Sequence, residues 1–160
     1  MAVGDPSAQA ADGVCSRLPS NNAFEDDPKV WDLVIVGAGV AGSALAYAQG
    51  KNGRRVLLLE RDLSVPDRIV GELLQPGGYL ALKKLGLTEA VKEIDAQKIY
   101  GYCIFKEGRE LLVNYPLDSL SDDVAGRSFH NGRFVQRMRQ AAAALPSVTV
   151  REGIGKMLVN

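Results

Sequence analysis

The sequence has few of the residues that build metal sites and nucleophilic catalytic centres. Its 160 residues include two cysteines and one histidine. Cys15 and Cys103 are far apart, form no CxxC motif and have no histidine at a metal-ligand spacing. We therefore expect two unrelated reduced thiols of an intracellular protein and no metal site. His130 stands alone beside Asn131-Gly132, which predicts a structural turn residue rather than a catalytic base.

The sequence also lacks net charge and a membrane-spanning run. It has 19 basic and 19 acidic residues, so its electrostatics indicate neither a nucleic acid nor an anionic membrane surface as a partner. The longest apolar stretch, residues 30–48, carries Asp32 and three glycines, and its pattern changes from strand to helix at Gly37. A transmembrane helix is therefore the poorer interpretation, and we expect no membrane segment in this chain.

Repeats and low-complexity segments are absent as well, and the composition, 46% hydrophobic and 24% charged, is that of a globular protein. Residues 1–28 are small, polar and punctuated by proline, without the apolar core of a signal peptide or an anchor. We expect them to form a disordered lead-in. The length suits one ordinary domain or a large part of a bigger one.

Residues 31–60 carry the most informative pattern of the chain. An apolar, β-branched run, Leu33–Val36, leads directly into GAGVAG at residues 37–42, and a helix-forming segment follows. A second apolar run, Val56–Leu59, ends at an acid, Glu60. This order of strand, glycine motif, helix, strand and acid predicts a βαβ dinucleotide-binding unit.

Each part of that pattern has a mechanical role. Gly37 permits the tight turn after the strand, and Gly39 lets the backbone approach a pyrophosphate at the helix N-terminus. Gly42 allows the helix and the strand to pack closely. Glu60 is placed to accept hydrogen bonds from an adenosine ribose and would repel a 2′-phosphate, so FAD or NAD is favoured. The alternative is a glycine-rich strand–helix turn followed by an incidental acid.

The whole pattern predicts an α/β fold. The predicted elements are strands at 32–36, 55–60 and 148–150, helices at 40–50, 79–85, 88–94 and 132–145, a hairpin over 99–115 and a loop over 116–128. We expect the first helix to bury a face made of Ala41, Ala44, Leu45 and Ala48. A hairpin excursion after the βαβ unit is typical of large FAD-dependent oxygenases.

The predicted segments are a polar lead-in (1–30), an FAD-binding βαβ unit with its following helices (31–98), the hairpin of an incomplete substrate domain (99–128), and a return helix and strand with a divergent tail (129–160).

Several longer motifs resemble one family in particular. They are ERDL at 60–63, PDRIVGELLQPGGY at 66–79, DAQ at 95–97, GY at 101–102, YPL at 115–117 and GRSFHNGRF at 126–134. With these motifs the chain resembles the squalene monooxygenases (squalene epoxidases), flavoproteins of sterol and triterpenoid biosynthesis. The segment DVAGRSFHNGRF is most similar to the plant members.

The resemblance implies FAD-dependent epoxidation of squalene to 2,3-oxidosqualene with O₂. The electrons would come from NADPH through a separate reductase, and the enzyme would be attached to the endoplasmic reticulum membrane through segments absent from this chain. Two alternatives stay open. One is another FAD-dependent hydroxylase or halogenase, and the other is a non-catalytic FAD-binding or regulatory fragment.

The resemblance also implies contacts with the adenosine diphosphate part of FAD. Backbone groups of Val40 and Ala41 would contact the phosphates, while Glu60 and Arg61 would flank the adenosine. Arg68, in the loop after the second strand, would reach the cofactor as well. The alternative for Arg68 is a solvated loop charge.

Further implied roles concern the flavin and the substrate. Leu73 and Arg133 would lie near the cofactor, and Val148 or a neighbour would touch the adenine through its backbone. Gln75 and Tyr102 are the implied catalytic pair on the substrate side, near the reacting end of the hydrocarbon. The alternatives are an exposed helix-start arginine, a turn glutamine and a strand tyrosine with a buried face.

The chain departs from the family pattern in three places. A polar lead-in replaces the hydrophobic segment common at the N-terminus of plant members, and residues 151–160 drift from the pattern. The later Asp-Gly and Gly-Asp flavin motifs, the rest of the substrate domain and the C-terminal membrane helices do not occur in this sequence. We therefore expect a truncated FAD-dependent monooxygenase fold, from truncation, alternative splicing or a partial gene model, with little or no epoxidase activity by itself.

Overall fold

The computed structural model of the chain describes residues 30–116 and 125–155. The predicted lead-in with Cys15, part of the predicted 116–128 loop and the end of the predicted tail lie outside the described residues. None of the helices within these ranges is long and apolar enough to cross a membrane. In chain order the elements are β1 (Leu33–Val36), α1 (Val40–Lys51), β2 (Val56–Glu60), β3 (Leu73–Leu74), α2 (Pro76–Leu85), a 3₁₀ helix (Thr88–Val91), β4 (Gln97–Ile99), β5 (Gly101–Lys106), β6 (Arg109–Asn114), β7 (Gly126–Ser128), α3 (Asn131–Ala143) and β8 (Val148–Glu152).

A parallel sheet in the order β1-β2-β8 forms the frame of the fold. The apolar runs pair in register, Leu33 with Val56 and Val56 with Val148. Because the three strands run in the same direction, their carboxyl ends meet at one edge, where Glu60 lies beside Glu152. The predicted α/β fold with a Rossmann-like βαβ unit is confirmed, and such sheets bind ligands beyond that edge.

Two apolar clusters stabilise the helices. The cluster against the parallel sheet consists of Ile35, Ala38, Ala46, Val56, Leu58, Ala142 and Val148. The cluster around α2 and the 3₁₀ helix consists of Tyr79, Leu82, Leu87, Ala90, Val91, Ile94, Phe129, Phe134 and Met138. Helix α3 contributes to both clusters, so it joins the sheet to the segments that follow β2.

The buried face of α1 differs from the predicted one. Ser43, Ala46 and Gly50 are buried, whereas Ala41 and Leu45 are exposed. A Cβ at Gly50 would lie 2.4 Å from a side-chain carbon of β8, so the helix approaches the sheet closely there. The prediction was wrong because α1 consists mostly of small residues, and hydropathy then says little about which face is buried.

Three other local predictions also differ from the structure. The helix predicted to start at Tyr79 begins at Pro76, since proline is well suited to the first position of a helix. The helix predicted over 88–94 is a 3₁₀ helix that ends at Val91. The predicted 116–128 loop contains β7, which pairs with β3 and β4 in an antiparallel sheet. A strand of three residues is too short to show an alternating pattern.

The predicted hairpin is present as β5 and β6, which pair in antiparallel register. Its turn is Glu107-Gly108, and both residues have positive φ angles, of 51° and 73°. Every residue of β6 is exposed, and so is every residue of β5 after Gly101. The hairpin therefore stands apart from the two apolar clusters.

Candidate functional site

The turn between β1 and α1 shows the geometry expected of its glycines. Gly37 has a φ of 101°, a conformation that glycine adopts without steric cost. A Cβ at Gly42 would lie 1.9 Å from the Gly37 carbonyl oxygen, so a larger residue would push the helix away from the turn. At Gly39 a Cβ would meet no atom within 4 Å, which leaves this backbone open to a ligand.

Among the described residues, no side chain caps the N-terminus of helix α1 at this turn. Gly39 is the N-cap, it supplies no side-chain hydrogen bond, and the first turn of α1 contains no acidic residue. The first amide bonded within the helix is that of Ser43, which donates to Gly39 O at 2.9 Å. The earlier amides, including those of Val40 and Ala41, have no partner within the helix, and such groups favour an anion.

Glu60 is held at the carboxyl end of β2. Its Oε2 accepts a hydrogen bond from Ala38 N–H at 2.7 Å, and its Oε1 accepts one from Arg61 N–H at 3.0 Å. The side chain is 17% exposed. A carboxylate offers about four acceptor positions, so these bonds leave room for ribose hydroxyls. Through its bond to Ala38, Glu60 also links the glycine turn to the end of β2. The glycine motif alone did not indicate this structural role.

A cavity of about 560 Å³ opens at this edge of the sheet. This size lies within the range of about 300–1,000 Å³ that is usual for ligand sites. Four residues predicted to contact FAD line it, namely Gly39, Glu60, Arg61 and Arg68. Its other lining residues are Asp62, Ser64, Val65, Pro66, Asp67, Val70, Asn131, Val135 and Arg139. The site thus combines the glycine turn, the end of β2, the loop after β2 and one face of α3.

Sequence reasoning missed Arg139, the most deeply buried charged residue of the cavity wall. Its side chain donates from Nε to Ala38 O at 2.8 Å and from Nη1 to Ser64 O at 3.0 Å. Its Nη2 lies 3.5 Å from Glu60 Oε2. Burial lowers the pKa of Arg139 while the negative charge of Glu60 acts in the opposite direction. The amphipathic pattern of α3 could not reveal this role, because it marks apolar positions and treats an arginine as solvated.

Helix α3 presents a different arginine to the cavity from the predicted one. Asn131, Val135 and Arg139 line the cavity and follow one another at the spacing of one helical turn. Arg133, which the resemblance implies as an FAD contact, is not among the residues that line it. The half-exposed Arg133 guanidinium pairs instead with the Asp95 carboxylate. Its cofactor role stays a prediction.

Gln75 and Tyr102 are brought together by the fold although they are 27 positions apart. Gln75 is the N-cap of α2, and its Nε2 donates to the Tyr102 hydroxyl at 3.1 Å. The Tyr102 ring meets the Tyr115 ring edge-on, with centroids 5.4 Å apart. The interaction with Tyr102, together with burial, raises the pKa of Tyr115 to about 12. The polar pair exists, and its implied catalytic role stays a prediction.

The two remaining predicted FAD contacts, Leu73 and Val148, do not line the cavity. Leu73 lies on β3, paired with Ser128 of β7, and is partly exposed outside the cavity lining. Val148 begins β8 with its side chain in the core, whereas the cavity edge of that strand is at Glu152. At about 3.3 Å per residue, Val148 lies roughly 13 Å from that edge. The predicted adenine contact of Val148 or a neighbour therefore stays a prediction.

Comparison with protein-family models matches residues 35–65 to an NAD(P)-binding Rossmann-like domain. The matched range contains the second half of β1, the glycine turn, α1, β2 and the start of the loop that lines the cavity. This segment is therefore similar to a Rossmann-like domain, a result that does not depend on the cavity geometry.

Among characterised proteins, the chain is similar to plant squalene epoxidases. It is 63% identical to squalene epoxidase 1 of Arabidopsis thaliana over 140 residues, which are 88% of this chain and 26% of that protein. It is 54% identical to squalene monooxygenase SE2 of Panax ginseng over 154 residues, which are 96% of this chain and 27% of that protein. The chain thus spans about a quarter of the length of these relatives. The predicted resemblance is confirmed.

Solved structures of flavin-dependent enzymes share the fold. The myxobacterial chondrochloren halogenase CndH, a variant of FAD-dependent halogenases, is 31% identical with a TM-score of 0.64, over 78% of this chain and 29% of that one. A probable FAD-dependent monooxygenase from Pseudomonas aeruginosa, 22% identical, has a TM-score of 0.58 over 76% of this chain and 32% of that one. Both structures share the fold of this chain.

Proposed function

We propose that this chain forms the adenosine diphosphate half of the FAD site of a squalene epoxidase. The reaction of the whole protein is the epoxidation of squalene to 2,3-oxidosqualene with O₂, with electrons that NADPH supplies through a separate reductase. The observation that carries the proposal is the cavity at the carboxyl edge of the sheet, lined by Gly39 and Glu60. When bound, FAD supplies the oxygen chemistry, and the protein supplies binding, orientation and exclusion of water.

The residues around the glycine turn fit the diphosphate and the ribose. The open backbone at Gly39 allows close approach, and the amides of Val40 and Ala41 at the start of α1 bind the phosphates. The carboxylate of Glu60 accepts from the ribose hydroxyls, while Arg61 flanks the adenosine. Each of these assignments combines the resemblance with the position of the group in the structure.

The resemblance implies that the flavin end of the cofactor and the substrate would lie near the segment that follows the cavity loop. Arg68 lines the cavity, where it would contact the cofactor. Leu73 on β3 lies outside the cavity lining, and its assignment to the flavin depends on the resemblance. Gln75 fixes the orientation of the Tyr102 phenol through its hydrogen bond. We assign this pair to the reacting end of squalene. Arg133, held by Asp95, completes the proposed cofactor contacts.

A second candidate function is that of an FAD-dependent halogenase or hydroxylase. The 31% identity to the chondrochloren halogenase favours it. The motifs RIVGELLQPGG and GRSFHNGRF and the 63% identity to a squalene epoxidase weigh more heavily for epoxidation. The proposed location at the endoplasmic reticulum membrane depends on the resemblance alone.

A chimaeric enzyme tests the proposed function directly. In it, the 140 matched residues of Arabidopsis squalene epoxidase 1 are replaced by those of this chain. We expect the chimaera to bind FAD and to form 2,3-oxidosqualene in the presence of NADPH and a reductase. A matched chimaera with Glu60→Gln should bind FAD more weakly. A folded, FAD-loaded chimaera that forms no oxidosqualene would contradict the assignment.

The 160 residues by themselves give a second test. We expect them to bind the adenosine diphosphate part of FAD but to show little or no epoxidation. Tyr102 lies on β5 of the hairpin, and every residue of the partner strand β6 is exposed, so the proposed substrate side is not enclosed by the described residues. Flavin absorbance after purification and an assay of squalene turnover measure the two properties. Stoichiometric FAD together with turnover would overturn the expected inactivity, and binding of NADPH in place of FAD would contradict the cofactor assignment.

A further inference from the structure

We propose that Arg139 is a positioning residue of the FAD site, which holds the Glu60 carboxylate in the orientation that an adenosine ribose requires. It does so by joining that carboxylate to the glycine turn and to the loop after β2. The inference rests on the proposed function, because it assigns Arg139 a part in dinucleotide binding.

Arg139 bonds to three segments that are distant in sequence. Its Nε reaches the Ala38 carbonyl, 101 positions away, at 2.8 Å. Its Nη1 reaches the Ser64 carbonyl, 75 positions away, at 3.0 Å. Its Nη2 lies 3.5 Å from Glu60 Oε2. A guanidinium presents its donors in a rigid plane, so these three contacts fix the relative positions of the segments.

Ala38 closes the arrangement into a ring. Its N–H donates to Glu60 Oε2 at 2.7 Å, while its carbonyl accepts from Arg139 Nε. Ser43 Oγ donates to the same carbonyl at 3.2 Å. Because Glu60 Oε2 faces both Ala38 and Arg139, the carboxylate cannot rotate without losing one of these contacts.

Burial makes the arrangement specific to arginine. Arg139 is 3% exposed, and a charged side chain is almost never buried this completely unless it is paired. Removing one partner of a buried pair leaves the other charge without compensation. A lysine keeps the charge, but it cannot reach three acceptors in one plane.

A comparison with Arg127 separates a positioning role from a structural one. Arg127 is also buried, but it donates to the neighbouring Ala125 and Gly126 carbonyls and lies over the Tyr79 ring, outside the cavity lining. Arg139, in contrast, lies in the wall of the same cavity as Glu60. The contacts of Arg139 therefore act on the proposed ligand site.

Hydrogen exchange of the ligand-free chain tests the positioning role. In Arg139→Met we expect the Ala38 amide, bonded to Glu60 Oε2, to exchange at least about tenfold faster. The neighbouring Gly37 amide, which donates to Leu59 O at 2.7 Å, should keep its rate. The control is Arg137→Met on the same helix, outside the cavity. An unchanged Ala38 rate, or equal acceleration of both amides, would show a purely structural residue.

The same measurement remains decisive if Arg139→Met does not fold. Arg139→Lys keeps a cation in place, and we expect it to accelerate the Ala38 amide in the same direction but by a smaller factor. Wild-type exchange at Ala38 in this variant would overturn the proposal, because a single point charge would then hold Glu60 equally well.

Ribose discrimination provides the ligand-dependent test. Calorimetric titration with ADP and with 2′-deoxy-ADP should give an affinity ratio of about ten or more for the wild-type chain, since a hydrogen bond to a charged group is lost. We expect a ratio near one in both Arg139→Met and Glu60→Gln, no further change in the double variant, and the wild-type ratio in Arg137→Met. An unchanged ratio in Arg139→Met refutes the inference. Absence of ADP binding by the wild-type chain instead counts against the proposed function, and hydrogen exchange then decides the role of Arg139.

Discussion

The nucleotide-binding part and the hairpin use apolar residues in opposite ways. In the parallel sheet, Val56 and Leu58 of β2 are fully buried between neighbouring strands and helices. The hairpin of β5 and β6 also contains many apolar residues, but they are exposed. Its exposed large side chains are Tyr102, Ile104, Phe105, Leu111, Leu112 and Val113, and Tyr100 lies just before it.

The difference shows where the stability and the proposed chemistry reside. The sheet, α1 and α3 bury their own apolar surface, and their contacts also shape the cavity that holds Glu60. A two-stranded ribbon is marginally stable by itself, and exposed apolar patches of this kind mark surfaces that contact something else. Among the described residues, the proposed cofactor part is therefore a packed unit, whereas the hairpin, which we assign to the substrate part, keeps its apolar side chains exposed.

The largest expected difference between the sheet and the hairpin is the loss of stability when a leucine is replaced by alanine. Leu58→Ala leaves a cavity in the buried sheet, and we expect a loss of about 2–5 kcal/mol in the free energy of unfolding. The matched change Leu112→Ala, at a side chain that is 66% exposed, should cost less than about 0.5 kcal/mol. Urea unfolding of both variants measures this. Equal losses would mean that the hairpin is packed as firmly as the sheet.

Substitutions of two glycines of the turn should affect different properties, one the stability of the fold and the other the binding of ADP. Gly42→Ala places a Cβ against the Gly37 carbonyl, and we expect a loss of about 1–3 kcal/mol in stability. Gly39→Ala meets no atom of the protein, so it should fold normally but weaken ADP binding by occupying the space of the phosphates. Thermal unfolding and ADP titration are compared for both. Wild-type affinity in Gly39→Ala would place the phosphates elsewhere.

The smallest expected change in stability comes from replacing Asp32, which lies at the amino-terminal edge of the sheet, opposite the cavity. Asp32 accepts hydrogen bonds from the Arg55 side chain and backbone amide, which hold the pKa of Asp32 below its usual value of 3.8. The stabilisation is therefore present above pH 3.8 and disappears as the pH falls through the lowered pKa. Asp32→Asn should be slightly less stable than wild type at neutral pH, without loss of ADP binding. A stability difference that persists in strong acid would contradict the assigned cause.

The βαβ unit could be predicted from the sequence because its signals are local. A β-branched run, a glycine motif and a terminal acid occupy 30 consecutive residues, and β1, α1 and β2 follow within a residue or two of the predicted ends. The hairpin was predicted for the same reason, since its turn at Glu107-Gly108 connects two adjacent runs.

The missed features depend on contacts between distant segments. Arg139 contacts Ala38 across 101 positions, and an arginine on an amphipathic helix gives no sign of burial. Strand β7 exists because β3 and β4 pair with it on either side, not because its own three residues favour a strand. The face of α1 is decided by how closely small residues approach the sheet, which hydropathy does not measure.

The central claim is that the glycine turn and Glu60 form an adenosine diphosphate site for a dinucleotide without a 2′-phosphate. The most direct measurement is a calorimetric titration of the chain with ADP and with ADP that carries an additional 2′-phosphate. We expect ADP to bind at one site and the 2′-phosphorylated ligand to bind at least about tenfold more weakly, because its 2′-phosphate would meet the Glu60 carboxylate. Equal affinities, or tighter binding of the 2′-phosphorylated ligand, would contradict the account.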